Sequence, residues 1–274
     1  MQTLFAKAAW EVYEEPLERF IPRCHAEKWS ATEIFLAARP EKPADIFRLH
    51  QSHDLKLIAQ IITSGTTVHE HLESLREHYL RALDCHPIAI NCHTGRDIFS
   101  FDENRRLFEA AVALSLREGV PLLHETHRGR ALFTAPLCLA YLHAIPGLRL
   151  TADFSHLLCV HESTLEDQPE AVAAIIEASD HIHARVGFPE GPQLSDPRNP
   201  AYQEWVDLSM GFWTRIRRRM TAEGRTAMTV TPEFGPPFYA PLAKDSADPL
   251  ADPWSSNRWM REELARQWQI GEIG

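Results

Sequence analysis

Cysteine is sparse in this chain and lacks pairing signals. Its five thiols, Cys24, Cys85, Cys92, Cys138 and Cys159, are odd in number and show no CxxC spacing. That argues against a disulfide framework or a zinc-ribbon site and places the expected home in a reducing cytoplasm. Neither GxGxxG nor GxxxxGK[ST] occurs, so nothing marks a nucleotide-binding fold. Long apolar runs are missing too. The longest uncharged stretch, residues 131–148, contains Pro136, His143, Pro146 and Gly147. It falls short of the roughly 20 apolar residues a bilayer span needs and reads as a buried helix, so no membrane partner is expected. The opening MQTLFAKAAWEVYEEPLERF has acidic residues where a signal peptide needs its apolar stretch, and export is not expected. Positive charge is in deficit: 28 Lys and Arg stand against 38 Asp and Glu, for a net charge of -10. Such a surface repels polyanions, which disfavours nucleic acid and favours a small neutral or weakly anionic partner.

What is present is the composition of a compact enzyme. The 274 residues are 44% hydrophobic and 24% charged, enough for one large core. Short apolar runs alternate with amphipathic stretches along the whole chain, the pattern of repeated βα units. Strands are expected at residues 3–9, 31–36, 55–63, 87–92, 120–125, 148–153, 181–185 and 227–233. Helices are expected at 15–28, 44–52, 68–83, 103–118, 132–144, 169–178, 201–223 and 255–269, with start signals at Asp102-Glu103 and at Ser255 or Ser256. Eight of each predict a single (β/α)8 TIM barrel over residues 1–274. Two long connections, 187–200 and 235–254, follow the last two strands and are expected to cover the mouth of the barrel.

Four metal-capable side chains, Glu125, Asp153, His183 and Glu233, lie at the downstream ends of successive apolar runs. A parallel barrel brings its strand C-termini to one rim, so they describe one site. Alternation sorts the neighbours: Glu125 and His127 share a face with His124 opposite, and His181, His183 and Arg185 share another. HETH is one residue short of the helical HExxH pair, which rules out a zinc-protease reading. Three carboxylates and one imidazole suit a single Mn²⁺, Mg²⁺ or Co²⁺, with Zn²⁺ also compatible. On a polyol or keto-sugar such an ion polarises a carbonyl while the glutamates move the proton.

These residues resemble the xylose-isomerase-like TIM-barrel superfamily, the sugar phosphate isomerase/epimerase group, over nearly the full length. Its ketose 3-epimerases carry Glu, Asp, His and Glu ligands on strands five to eight, matching Glu125, Asp153, His183 and Glu233. Their DxxH appears here as Asp153-Phe154-Ser155-His156 and their HxH as His181-Ile182-His183. The resemblance implies that Glu125 and Glu233 are the acid/base pair, that His156 contacts a substrate oxygen, and that the chain assembles as a homodimer or homotetramer. Endonuclease IV, in the same superfamily, is matched at His93, Glu125, Asp153, His156, His183, Glu233 and Asp196. Arg198 stands where that enzyme has a histidine ligand, and Thr63 and Ser64 replace the histidine of its third strand end, so a three-metal phosphodiesterase site is incomplete.

Around the quartet, His127, Arg128 and Arg130 of THRGR are candidate contacts for an anionic group on the substrate, with ion pairing to the acidic loops as the equal structural alternative, and Arg185 is a further candidate. His93, with Arg96 and Asp97 nearby, is a candidate substrate or supporting residue at the fourth strand end. Trp10 is a candidate apolar wall. Glu33 and Glu11 read mainly as structural, Gln60 equally as a residue of the mouth or of a core network, and the arginines at 215 and 217–219 as a solvated helix face. The leading expectation is a metal-dependent isomerase or epimerase of a sugar, sugar acid or polyol acting through an enediolate. A dehydratase using the same enolate is the alternative, ahead of an endonuclease or a non-catalytic binding protein.

Overall fold

The computed structural model describes residues 1–271. Eight parallel strands close into one barrel in the order of the sequence: β1 (Gln2–Ala8), β2 (Ala31–Phe35), β3 (Lys56–Ile62), β4 (Ala89–His93), β5 (Leu122–Glu125), β6 (Leu150–Ala152), β7 (Ser179–His183) and β8 (Ala227–Thr231). Closure is made by β1 against β8, in the register Gln2 to Ala227 through Phe5 to Val230. The helices between them are α1 (Leu17–Ala26), α2 (Pro43–Ser52), α3 (Val68–Leu83), α4 (Phe101–Glu118), α5 (Ala135–Ala144), α6 (Phe154–His161), α7 (Pro169–Ala178), α8 (Gln203–Ala222) and α9 (Pro253–Gln267). Among the described residues, no helix is long and apolar enough to cross a membrane.

Local chemistry explains where these elements start. Capping boxes pair Thr67 with Glu70 ahead of α3 and Ser100 with Glu103 ahead of α4. The α4 cap is therefore Ser100, two residues before the expected Asp102, and α9 begins from Asp252 rather than from Ser255 or Ser256. The segment 131–148 contains a ten-residue helix, α5, started by Thr134. Arg219 departs from the solvated face expected of it: it is buried and donates to the backbone oxygen of Ser179 and to Asp180.

One element was absent from the expected set. α6 follows β6 at once because the Asp153 carboxylate accepts from the Ser155 backbone N–H at 2.9 Å and caps the helix. Strands β6, β7 and β8 accordingly stop before Asp153, Arg185 and Glu233, which stand on the connections just beyond the ladder.

The main apolar core lies between the strands and the helices. The barrel interior holds a small apolar plug, Ala6, Ala31 and Ile58. Nearer the strand C-termini it becomes polar: Glu33 on β2 reaches His181 and His183 on β7, Thr231 on β8 and Asn91 on β4. Those strands are not all neighbours, so the contacts cross the inside of the barrel.

Candidate metal centre

Glu125, Asp153, His183 and Glu233 converge: each offers a ligand atom, and these atoms lie within 4.8 Å of one another. All four residues are buried. His183 is the hinge of the cluster. Its Nε2–H donates to Glu33 Oε1 at 2.9 Å, so Nδ1 is the atom turned to the other carboxylates and the one that offers a lone pair once it gives up its proton. That Nδ1 lies 3.0 Å from Glu233 Oε2 and 3.5 Å from Glu125 Oε2, yet it makes no hydrogen bond although it is buried. A buried nitrogen aimed at carboxylates is the arrangement a cation satisfies, so the residues present fit a divalent ion.

The electrostatics agree. Burial alone would lower the His183 pKa, but the carboxylates of Glu233, Glu33 and Glu125 overcome it and raise it well above the usual imidazole range. Burial would raise the Glu125 carboxyl, and the His93 and His183 imidazoles instead hold it well below the carboxylate range. Asp153 differs: burial pushes it up to about 6, against the pull of Arg185.

Arg185 extends from the end of β7 and donates to Asp153 Oδ2, with its Nε on Ser155 Oγ at 3.1 Å. One of its amino groups reaches His156 Nε2 at 2.7 Å. A guanidinium only donates, so that nitrogen of His156 accepts and the proton sits on Nδ1, which is buried without a partner. Arg185 also stands 3.6 Å from Glu233. The cluster thus contains a fixed cation beside the four candidate ligands.

A cavity of about 290 Å³ opens onto this centre. Its polar side is formed by Gln60, His93, Glu125, His127, Arg185 and Glu233, and its apolar wall by Trp10, Phe35, Ile62 and Tyr239. His93 Nε2 lies 2.8 Å from Glu125 and 3.2 Å from the Gln60 amide nitrogen. The rings of His93, His127 and His156 follow one another at centroid distances of 4.5 and 3.9 Å. Burial pushes His127 down to about 3, so it is neutral.

The expected substrate contacts divide. Trp10, His93, His127 and Arg185 line the cavity; His156 is buried behind it, held by Arg185; Arg128 stacks over Tyr239 at 4.7 Å and is not among the lining residues. Arg130 bonds the backbone of Thr63 and Gly95, and the backbone of Arg96 is held by Asn104. Asp196 is turned to Arg198, at 2.7 Å, and neither belongs to a metal-capable group among the described residues.

Two residues escaped the sequence reading. Glu33, expected to be mainly structural, holds the Nε2–H of His183 and so turns Nδ1 to the other carboxylates; the signal for it is a lone carboxylate inside an otherwise buried strand. Asn91 drew no attention, but its amide donates to Glu33 at 3.1 Å and to Glu125 at 2.8 Å, tying β2 to β5 through β4.

The closed barrel has the fold of the xylose-isomerase-like TIM-barrel proteins. A xylose isomerase domain containing protein from Salmonella typhimurium LT2 superposes with a TM-score of 0.64 at 13% identity, covering 96% of this chain and 98% of that one. The probable 3-DHS dehydratase of Bacillus anthracis involved in petrobactin synthesis gives 0.60 at 12%, covering 97% and 99%. Endonuclease IV from Thermus thermophilus gives 0.59 at 14%, covering 98% and 99%. No family model matches the sequence, and no curated protein matches it. At these identities the likeness defines the fold, and fold neighbours with isomerase, dehydratase and endonuclease names leave the reaction to be argued from the site.

Proposed function

We propose that the protein is a divalent-metal-dependent isomerase or epimerase of a sugar, sugar acid or related polyol, acting through an enediolate. The observation that carries this reading is the His183 Nδ1, buried without a hydrogen bond between Glu125 and Glu233 and oriented by Glu33. A bound Mn²⁺, Mg²⁺ or Co²⁺ would supply Lewis acidity, polarising the substrate carbonyl and offsetting the charge of the enediolate. Glu125, Asp153, His183 and Glu233 would hold it, one ion per chain.

The remaining work falls to the chain's own groups. Glu125, kept ionised by His93 and His183, accepts the proton from carbon, and Glu233 faces the same space to return one. His93, half-buried and in contact with Glu125, links that carboxylate to the cavity. Arg185 brings a fixed positive charge to the oxygen that becomes negative. Trp10, Phe35, Ile62 and Tyr239 exclude water from the opposite side. The substrate in this reading is a small carbohydrate-like molecule, not a nucleic acid.

The row of imidazoles favours a second reading, expulsion of a β-hydroxyl as water from the same intermediate. His93 and His127, which line the cavity beside Glu125, offer a route for a proton to a leaving oxygen, and one fold neighbour is named a probable dehydratase. Metal analysis with a screen of ketoses, inososes and keto acids in heavy water separates the two. Isomerisation places deuterium on substrate carbon with no loss of water; dehydration yields an absorbing enone or keto-deoxy product. Full activity in both Glu125→Gln and Glu233→Gln variants would overturn the acid/base assignment.

A further inference from the structure

We infer that Asn257, on the last helix, is a positioning residue for Glu233, acting through the backbone of Phe234 and held in one orientation by a buried Lys7–Glu11 pair. The inference rests on reading Glu233 as a metal ligand.

Strand pairing ends at Thr231, so Glu233 stands two residues beyond the ladder. Two side-chain amides replace the missing strand neighbour. Asn257 Oδ1 accepts from the Phe234 N–H at 2.6 Å, and its Nδ2 donates to the Phe234 oxygen at 2.9 Å. One residue on, Gln193 Oε1 accepts from the Gly235 N–H at 2.7 Å, and its Nε2 donates to the Gly235 oxygen at 3.3 Å. Each amide presents a donor and an acceptor together, as the edge of a strand does.

The third side of the segment is closed by packing. A Cβ at Gly235 would lie 2.1 Å from Trp10 Cζ3, so only glycine lets the chain pass against that indole. The backbone after Glu233 is therefore boxed between Asn257, Gln193 and Trp10.

What fixes Asn257 is the anion beside it. Its Nδ2 also donates to Glu11 Oε1 at 2.9 Å, and Glu11 pairs with Lys7, whose side chain is fully buried. An ionised carboxylate only accepts, so the amide atom turned to Glu11 must be the NH₂, the same orientation that gives Oδ1 to the Phe234 N–H and Nδ2 to the Phe234 oxygen. Lys7 Nζ in turn donates to the Ala8 oxygen at 3.0 Å and lies 4.2 Å from the Trp254 ring centroid, joining β1 to α9. A buried ion pair is a weak source of stability. Here it sets one amide orientation next to a ligand of the metal centre.

The test is Mn²⁺ titration of the wild-type chain and of N257A and Q193A, each also built in the E233Q background. Residues that orient ligands typically change metal affinity by about 10- to 100-fold. N257A is expected to weaken Mn²⁺ binding within that range, and Q193A by several-fold. Both losses should vanish in the E233Q background, because the path to the ion runs through Glu233. Unchanged affinity in N257A, or an equal fold-loss in both backgrounds, overturns the inference in favour of a merely structural amide. Should N257A not fold, Q193A is read by the same criterion. A wild-type chain that binds no divalent ion would defeat the metal reading separately. The clamp is then read from amide hydrogen exchange, where N257A must speed exchange at Phe234 and Q193A at Gly235; unchanged exchange overturns it.

Discussion

Replacing Glu33 by glutamine tests the orientation of His183 on which the proposed metal centre depends. Glu33 is buried and accepts four bonds: His183 Nε2 at 2.9 Å and Asn91 Nδ2 at 3.1 Å on Oε1, Thr231 Oγ1 at 2.6 Å and His181 Nε2 at 3.1 Å on Oε2. Glutamine keeps the volume and makes one of those oxygens an NH₂. If the NH₂ faces His183, Nε2 must give up its proton and the remaining one stays on Nδ1, the atom that points at Glu125 and Glu233. If it faces the other way, His183 keeps its tautomer but loses the charged partner that raises its basicity. Either outcome weakens a metal ligand, and outer partners of this kind typically carry about 10- to 100-fold in affinity, or about 1.4–2.7 kcal/mol. Mn²⁺ titration calorimetry of E33Q beside wild type reads the change directly. Affinity within about twofold of wild type would refute the claim that Glu33 orients His183 for an ion, since the smallest typical effect is about fivefold larger.

Metal binding is expected to release protons. The neighbouring carboxylates hold His183 protonated near neutrality, so one proton should leave at pH 7, and a second should join it below about 6, where Asp153 is protonated. Calorimetry in buffers of different ionisation enthalpy counts them, and zero release at pH 7 contradicts the assignment. Gly235→Ala puts a methyl 2.1 Å from Trp10 Cζ3 and should lower stability by about 1–3 kcal/mol, visible as a reduced Tm. His124 is buried against Phe108 with Nδ1 2.7 Å from Thr94 Oγ1, and burial pushes its pKa down to about 3. As pH falls the unfolded chain takes up this proton first, so stability should drop between about 6.5 and about 3, by at most about 5 kcal/mol. His124→Leu should flatten that slope in urea melts, and an unchanged slope counts against the buried neutral imidazole.

Much of the architecture was legible because it follows from periodicity. The expected boundaries of α3 and α7 match the structure to the residue, and all eight strands occur. The missed helix, α6, has a physical reason: its eight residues FSHLLCVH are mostly apolar and follow a strand directly, so periodicity could not separate them from the elements on either side. The alternation that placed His124 opposite Glu125 and His127 also agrees, since His124 packs outward on Phe108 while the other two line the cavity.

The sequence alone determined that Glu125, Asp153, His183 and Glu233 would share a rim, because each ends an apolar run and parallel strands in a closed barrel present those ends together. It did not determine who else reaches them. Glu33 and His183 are 150 residues apart, and Asn257 and Glu11 are 246 apart. Whether two such side chains meet depends on barrel closure, on the register of strands that are not neighbours, and on how the last helix docks. Those relations arise only once the chain has folded. They set the tautomer of His183, the amide orientation of Asn257 and the pairing of Arg185 with Asp153, and so turned four residues with the right chemistry into a centre able to hold a cation.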